Sequence, residues 1–578
     1  MKTLILTACL VTGCILPTTM IAKNKTVELR IIETSDVHGS FFPYDYVSRK
    51  PQRGTLARVS SYVNRLRRQY GEALVLLDNG DILQGQPVSY FSNYVDTTEM
   101  NIAAQVMNYL SYDAATVGNH DIETGHKVYD QWINDVNCPM LGANIINTQT
   151  DNPYLKPYTI IERQGVKIAV LGMITPAIPN WLPEKLWSGL RFEEMVETAR
   201  HWVEAIRQQE KPDVIIGLFH SGKEGGITTE AYCEDASQKV AQEVPGFDLI
   251  FFGHDHQKHN SRVAGPDGRE VLLLDPSNNA THVADATIRL TQRHGQWCIE
   301  GKEGQLYDVT HEETDSSFIQ HFQPYIKKLE QFADMPIGRC THRVGVEDAF
   351  FGNSAFNDFI LNLQLQLTGA DISFNAPLSL HSFLPEGEIR MSDMFNLYKY
   401  ENQLYVMRLT GEEIRRHLEM SYDLWVNTMK SPDDHLLLFD DTKGDGQRLG
   451  FKNLLFNFDS AAGIDYEVDV TKPDGQKVTI LKMSNGQPFD KDKWYKVAIN
   501  SYRGNGGGEL LTRGAGIPQD SLESRIIYRT PRDQRYYLTE AIRKMGTIDP
   551  KPNHNWRFVP EAWTRAAAQR DRKILFGK

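Results

Sequence analysis

The chain has 578 residues, 41% of them apolar and 24% charged, and a formal net charge of −12. That length exceeds what one hydrophobic core organises, so at least two domains are expected. The acidic balance offers nothing to a nucleic-acid polymer, and an anionic substrate would need local positive charge of the kind bound cations supply.

Residues 1–22 read as a secretory leader: Lys2, then an apolar stretch from Leu4 to Ile21 broken by small residues. Cleavage after Ala22 is one reading. A lipid on Cys14, within the lipobox-like Val11-Thr12-Gly13-Cys14, is the other. Both place the mature chain outside the cytoplasm, in the periplasm or cell envelope. No later stretch is long and apolar enough to span a bilayer. Cys138, Cys233, Cys298 and Cys340 then remain, none in a C-x-x-C pair, which speaks against a thiolate metal site. Free thiols and one or two disulfides both stay open.

In chain order, residues 27–34 alternate as a strand and deliver Asp36 and His38. If that segment stays extended, both side chains share a face. Leu56, Val59, Tyr62, Val63 and Leu66 mark a helix ending near Gly71. The run Ala73-Leu-Val-Leu-Leu-Asp-Asn-Gly-Asp81 begins as a buried strand and ends on carboxylates, where parallel sheets keep their chemistry. Asp81 has two oxygens and so can bridge two cations. A helix over 100–110 and a strand near 114–117 lead to Gly118-Asn119-His120-Asp121, where glycine allows close backbone approach. Residues 166–173, 213–219 and 247–252 are apolar strands; the latter two end in His220-Ser221-Gly222 and Gly253-His254-Asp255-His256. An extended backbone would again put His254 and His256 on one face.

Phe318, Phe322, Tyr325, Ile326, Leu329 and Phe332 recur at helical spacing and predict a helix over 314–334, with a domain boundary near Pro336. Beyond it, Phe356 to Leu367 reads as a helix capped by Asn353 or Ser354. Residues 370–374 and 494–499 read as strands, and Thr410 with Glu413 as a capping box. Residues 444–450 read as a polar surface loop. Four glycines between Gly504 and Gly508 demand a sharply bent loop. Residues 564–578 read as a solvated terminal helix.

Asp36, His38, Asp81, Asn119, His220, His254 and His256 are all N or O donors. They suffice for two ions of about four ligands each if Asp81 is shared. Two cations roughly 3.5–4 Å apart clamp the attacking and leaving oxygens of a phosphoryl displacement.

These motifs, Asp36-x-His38, Gly80-Asp81, Gly118-Asn119-His120-Asp121, His220 and Gly253-His254-x-His256, resemble the calcineurin-like metallophosphatase signature. The second half resembles the 5′-nucleotidase C-terminal domain. His220-Ser221-Gly222, Tyr400-x-Asn402-x-Leu404, Asn457-Phe458-Asp459 and Asn500-Ser501-Tyr502-Arg503 resemble the branch of 2′,3′-cyclic-nucleotide 2′-phosphodiesterase/3′-nucleotidases. The resemblance implies an α/β chain. A metallophosphatase β-sandwich flanked by helices would occupy 26–312 and a linker helix 313–336. An α+β nucleotide-binding domain would follow over 337–550, then a tail over 551–578. It implies one ion on Asp36, His38, Asp81 and His256, and another on Asp81, Asn119, His220 and His254, with Zn, Mn, Fe or Co all compatible. His120 would stabilise the transferring phosphoryl group, with Glu123 where relatives carry Asp. Phe458 and Tyr502 would sandwich the base. The implied reaction is hydrolysis of 2′,3′-cyclic nucleotides and 3′-nucleotides to nucleosides and phosphate. Rivals are a 5′-nucleotidase or nucleotide-sugar hydrolase, a remote thiosulfate-releasing relative, and a surface-binding protein that keeps the fold without the chemistry. Two departures bear on this: Asn375-Ala-Pro-Leu-Ser379 lacks the arginine of the 5′ branch, and Gly508 stands where many relatives have Asp. Oligomeric state stays open.

Overall fold

The computed structural model describes residues 25–440 and 450–577. The expected leader, Cys14 and all but the last residue of the expected loop at 444–450 lie outside the described residues. The first half is a sandwich of two six-stranded sheets. In one sheet, strand Thr26–Thr34 pairs parallel with Leu74–Asp78 and antiparallel with His282–Arg293. In the other, Val166–Ile174, Val214–His220 and Leu249–Phe252 run parallel, side by side. Alternation decides the layers. Leu29, Ile31, Val75 and Leu77 face Ile168, Val170, Ile216 and Leu218 in a core between the sheets. Residues one step out of phase face the flanking helices, Ile32 and Leu76 on one side and Leu171 and Ile215 on the other. The parallel strands end on one rim, and the expected donors lie there, His220 as the last residue of its strand and the others just beyond a strand end.

The helix expected over 314–334 spans Ser316–Ala333. The Asp315 carboxylate caps it by accepting from the Ser317 and Phe318 amides. Its aromatic row is buried against the first half, with Phe318 and Phe322 on Phe42 and Phe332 on Phe91. The same apolar cluster runs on into the second half. There a five-stranded sheet with Trp494–Asn500 at its centre carries helices Ala355–Thr368, Gly411–Trp425 and Gln534–Met545. Thr410 and Glu413 form the expected capping box. The halves also meet through Arg49 and Asp393 (2.8 Å), Gln84 and Glu401 (3.0 Å) and Asn505 with the Trp181 carbonyl (3.2 Å).

The segment after 550 is not a separate tail. Strand Trp556–Val559 pairs parallel with Ile464–Asp469, and helix Glu561–Phe576 docks through buried Ala567 and Asp571. Asp571 accepts from the Leu437 amide (2.9 Å) and bonds His435 (2.5 Å), anchoring residues far apart in sequence. Charge along that helix hid the small buried face. Cys138, Cys233, Cys298 and Cys340 are free thiols. No helix among the described residues is long and apolar enough to cross a membrane.

Candidate metal centre

Five of the seven expected donors belong to residues with positive φ: Asp36 (51°), His38 (49°), Asp81 (56°), His254 (79°) and His256 (59°). Each such conformation costs on the order of 1 kcal/mol or more for a non-glycine residue, and such strain gathers at functional sites. The extended segments expected at Asp36-x-His38 and His254-x-His256 are therefore not extended. The shared-face argument for each pair fails. His256 Nε2 lies 3.3 Å from Asp36 Oδ1, whereas His254 Nδ1 lies 2.8 Å from Asn119 Oδ1. Left-handed backbone at both His254 and His256 sends the two histidines to different partners.

Three motif glycines are explained by close approach. A Cβ on Gly80 would collide with the backbone at Gly118, and one on Gly118 with the Asp81 carboxylate. A Cβ on Gly253 would collide with Ser35 and Asp36. Asp121 then ties two of these loops together. Its Oδ2 accepts from the Asp81 and Gly118 amides (both 2.8 Å), and its Oδ1 from those of Ile82 (3.0 Å) and Leu83 (2.9 Å). The sequence reading passed over Asp121 as part of a motif. Its buried carboxylate gathers four N–H groups that would otherwise be orphaned.

On this frame Asp36, His38, Asp81 and His256 present ligand atoms within 4.8 Å of one another. His220 Nε2 lies 3.4 Å from Asp81 Oδ2 and 3.1 Å from Asn119 Oδ1. Asp36 Oδ1 is buried with no hydrogen-bond partner. His38 Nε2 and His256 Nε2 face each other at 3.0 Å, a gap that leaves room for at most one proton. Burial and the neighbouring His256 push the His38 imidazole down to about 3, so it stays neutral with a lone pair available. A buried carboxylate oxygen ringed by the inward nitrogens of His38 (4.0 Å), His220 (4.0 Å) and His256 (3.3 Å) fits a divalent cation. Two outer nitrogens are held as metal-ligating imidazoles require, His38 Nδ1 donating to the Gln84 carbonyl (3.2 Å) and His220 Nδ1 to that of Asn79 (2.7 Å), whereas His256 Nδ1 accepts from the Asn278 side-chain NH2 (2.9 Å).

His120 stands beside the donors. Its amide donates to Asp81 Oδ1 (2.8 Å) and its Nδ1 meets Glu123 Oε2 at 2.6 Å. Burial disfavours its charge, but Asp81 and Glu123 outweigh that and raise it to about 9. Glu123 thus holds one nitrogen and leaves the other to act.

The aromatic expectation needs correcting. Phe458 is fully buried, stacked on Trp425 (centroids 5.6 Å apart, planes 2° apart) and edge-on to Phe451, so it cannot touch a base. Half-buried Phe456 is the ring that meets Tyr502, at 6.0 Å and 84°. The reason is local. Leu455–Asn457 is a 3₁₀ turn, and two steps around such a turn carry a side chain to another face. Arg503 fixes the pair. It is buried, forks onto both oxygens of Asp459 (3.0 and 3.2 Å), and donates to the Phe456 carbonyl (2.8 Å) and the Gly507 carbonyl (2.5 Å). Gly508 has φ 69°, and a Cβ there would collide with Asn457 and Arg503, so the aspartate of many relatives has no room. Asn375 is bonded to Asn357 as scaffold.

The calcineurin-like phosphoesterase profile matches residues 29–258, and that of the 5′-nucleotidase C-terminal domain residues 336–513. A 5′-nucleotidase of Vibrio cholerae is 30% identical over 434 residues, 69% of this chain and 76% of that protein. A 2′,3′-cyclic-nucleotide 2′-phosphodiesterase/3′-nucleotidase of Haemophilus influenzae is 25% identical over 606 residues, 93% of this chain and 89% of that one. A trifunctional nucleotide phosphoesterase of Bacillus subtilis is 27% identical across 96% of this chain, which spans 41% of that longer protein. Among solved structures, a provisional 5′-nucleotidase of Staphylococcus aureus superposes with a TM-score of 0.75 at 21% identity, over 92% of this chain and 99% of that one.

Proposed function

Since the chain belongs to the calcineurin-like phosphoesterases with a 5′-nucleotidase C-terminal domain, a family of metal-dependent phosphoester hydrolases, we propose that it hydrolyses 2′,3′-cyclic nucleotides and 3′-nucleotides to nucleosides and phosphate. The carrying observation is the cluster of Asp36, His38, Asp81 and His256, with His220 and His254 meeting at Asn119 Oδ1 next to it and the His120–Glu123 pair alongside. In this reading Asp36, His38, Asp81 and His256 would hold one divalent ion and Asp81, Asn119, His220 and His254 a second, with Asp81 shared. Bound cations would neutralise the transferring phosphoryl group and lower the pKa of water at the site. The chain's own groups do the rest. His120, oriented by Glu123, donates to phosphoryl or leaving-group oxygen as charge builds there. Phe456 and Tyr502 stand edge to face at 84°, so a planar base stacks on one of the two rings, and stacking of this kind accepts any base, at about 1–3 kcal/mol. Catalytic residues 26–312 and nucleotide-binding residues 337–577 divide the work.

Preference for cyclic and 3′ substrates is supported by the Haemophilus relative, alike over nearly the full length of both chains, and by the absence of arginine from Asn375 to Ser379. A 5′-nucleotidase is the second reading, favoured by the Vibrio relative. One assay panel on metal-reconstituted protein separates them: cyclic 2′,3′-AMP, 3′-AMP, 5′-AMP and a UDP-sugar, with products identified. Faster turnover of 5′-AMP than of the first two would reverse the assignment, and turnover of none would leave a binding protein. Export is part of the proposal; N-terminal sequencing of the chain secreted by a bacterial host tests it, with residue 23 expected first.

A further inference from the structure

His254 is held differently from the other three histidines of the centre. Those three turn Nε2 inward, and their Nδ1 atoms meet carbonyl or amide groups. His254 turns Nδ1 inward, 2.8 Å from Asn119 Oδ1, and its Nε2 meets a carboxylate, Glu234 Oε1, at 3.1 Å. Glu234 lies on strand Cys233–Asp235 of a hairpin that follows His220. Its other oxygen accepts from the Ile227 amide (2.6 Å), so both oxygens are committed. Its carbonyl accepts from Ser221 Oγ (2.8 Å) and Thr175 Oγ1 (3.0 Å), which fastens the hairpin to the loop carrying His220. Gly226, at φ 63°, lies against the carboxylate; a Cβ there would come within 2.6 Å of Glu234 Cδ.

We propose that Glu234 is a positioning residue for one of two metal sites: it accepts the His254 Nε2–H, locks the tautomer with its lone pair on Nδ1, and strengthens that donor. The proposal rests on the two-ion reading above. A carboxylate behind a ligating imidazole raises its basicity, and loss of such a partner costs 10–100-fold in metal affinity. Because Glu234 touches only His254 among the seven donors, the loss falls on the ion that His254 serves and spares the other. Glu234, Asp235 and His254 also come within ligand distance of one another. That group is a support rather than a third site, since His254 already turns one nitrogen inward and Asp235 accepts from the Gly222 amide (2.9 Å).

The test is calorimetric titration of metal-free full-length protein with cobalt(II), alongside the visible spectrum of each bound ion. Wild type is expected to take two ions. Glu234→Gln is expected to bind one with unchanged affinity and the other 10–100-fold more weakly. Gly226→Ala, which displaces the carboxylate without removing its charge, is expected to weaken the same ion, and it decides the matter if Glu234→Gln does not fold. Unchanged affinities for both ions would overturn the proposal, and so would equal weakening of both, the mark of a purely structural role. A wild type that takes fewer than two ions would instead sink the two-ion reading, before any variant is compared.

Discussion

In the first half, the donors ride on loop backbone held in left-handed conformations, and rigidity comes from N–H groups gathered by Asp121. In the second half, the aromatic platform rides on ordinary turns, and rigidity comes from the buried Arg503–Asp459 pair tying residues 456–459 to the glycine loop. One region places lone pairs, where a shift of tenths of an ångström matters. The other places flat faces, which tolerate more. The lesson is that chemistry needing points is built on strained backbone, and chemistry needing planes is built on side-chain pairs.

The sharpest break in that contrast is Asp81→Asn. It removes the charge of the carboxylate that the proposal has two ions share, so metal content by elemental analysis and turnover are both expected to collapse. The loss should exceed the 10–100-fold typical of mere outer partners. Arg503→Met strikes the other region. It leaves Asp459 buried without its cation, and breaking such a pair costs about 3–5 kcal/mol. Chemical denaturation should show that loss with metal stoichiometry unchanged. Phe456 and Phe458 separate face from filler. Phe458→Ala should cost about 3–5 kcal/mol of stability as a core truncation. Phe456→Ala should leave the melting point in place and raise KM by a factor reflecting about 1–3 kcal/mol of lost stacking.

The smallest effect concerns Glu33, in strand Thr26–Thr34 beneath the donors. Both its carboxylate oxygens are buried without partners, and burial, aided by Asp78 and Asp36, raises it well above the carboxylate range. A folded-state value above the unfolded one gives stability that is complete at acid pH and lost as pH rises through the folded value. Metal-free Glu33→Gln should therefore gain on wild type as pH climbs from 4 to 9. Parallel pH profiles for the two proteins would contradict this.

The donors were legible because His, Asp and Asn at the ends of apolar strands are rare enough to stand out as a set. Their geometry was not: a period-two argument cannot see five left-handed residues, and it paired Asp36 with His38 and His254 with His256 for a reason the backbone does not obey. The platform was misread by two residues for the opposite reason. Phe456 and Phe458 are the same chemical type, and only the 3₁₀ turn between them decides which reaches solvent. Asp121 and Arg503 were invisible as organisers, since a charged residue inside a motif looks the same whether it meets ligand or backbone. The terminal helix was misjudged because two or three small buried residues suffice to dock it.

Asp121 carries a further implication. Its grip on four amides involves protein atoms alone, so the socket keeps its shape whether or not anything sits in it. An ion that departs leaves a template behind, and its replacement by a different element requires no refolding. Substitution of one metal for another in dialysis should proceed at the pace of ligand exchange, and the element found after purification will record the supply of the medium more than the architecture of the chain.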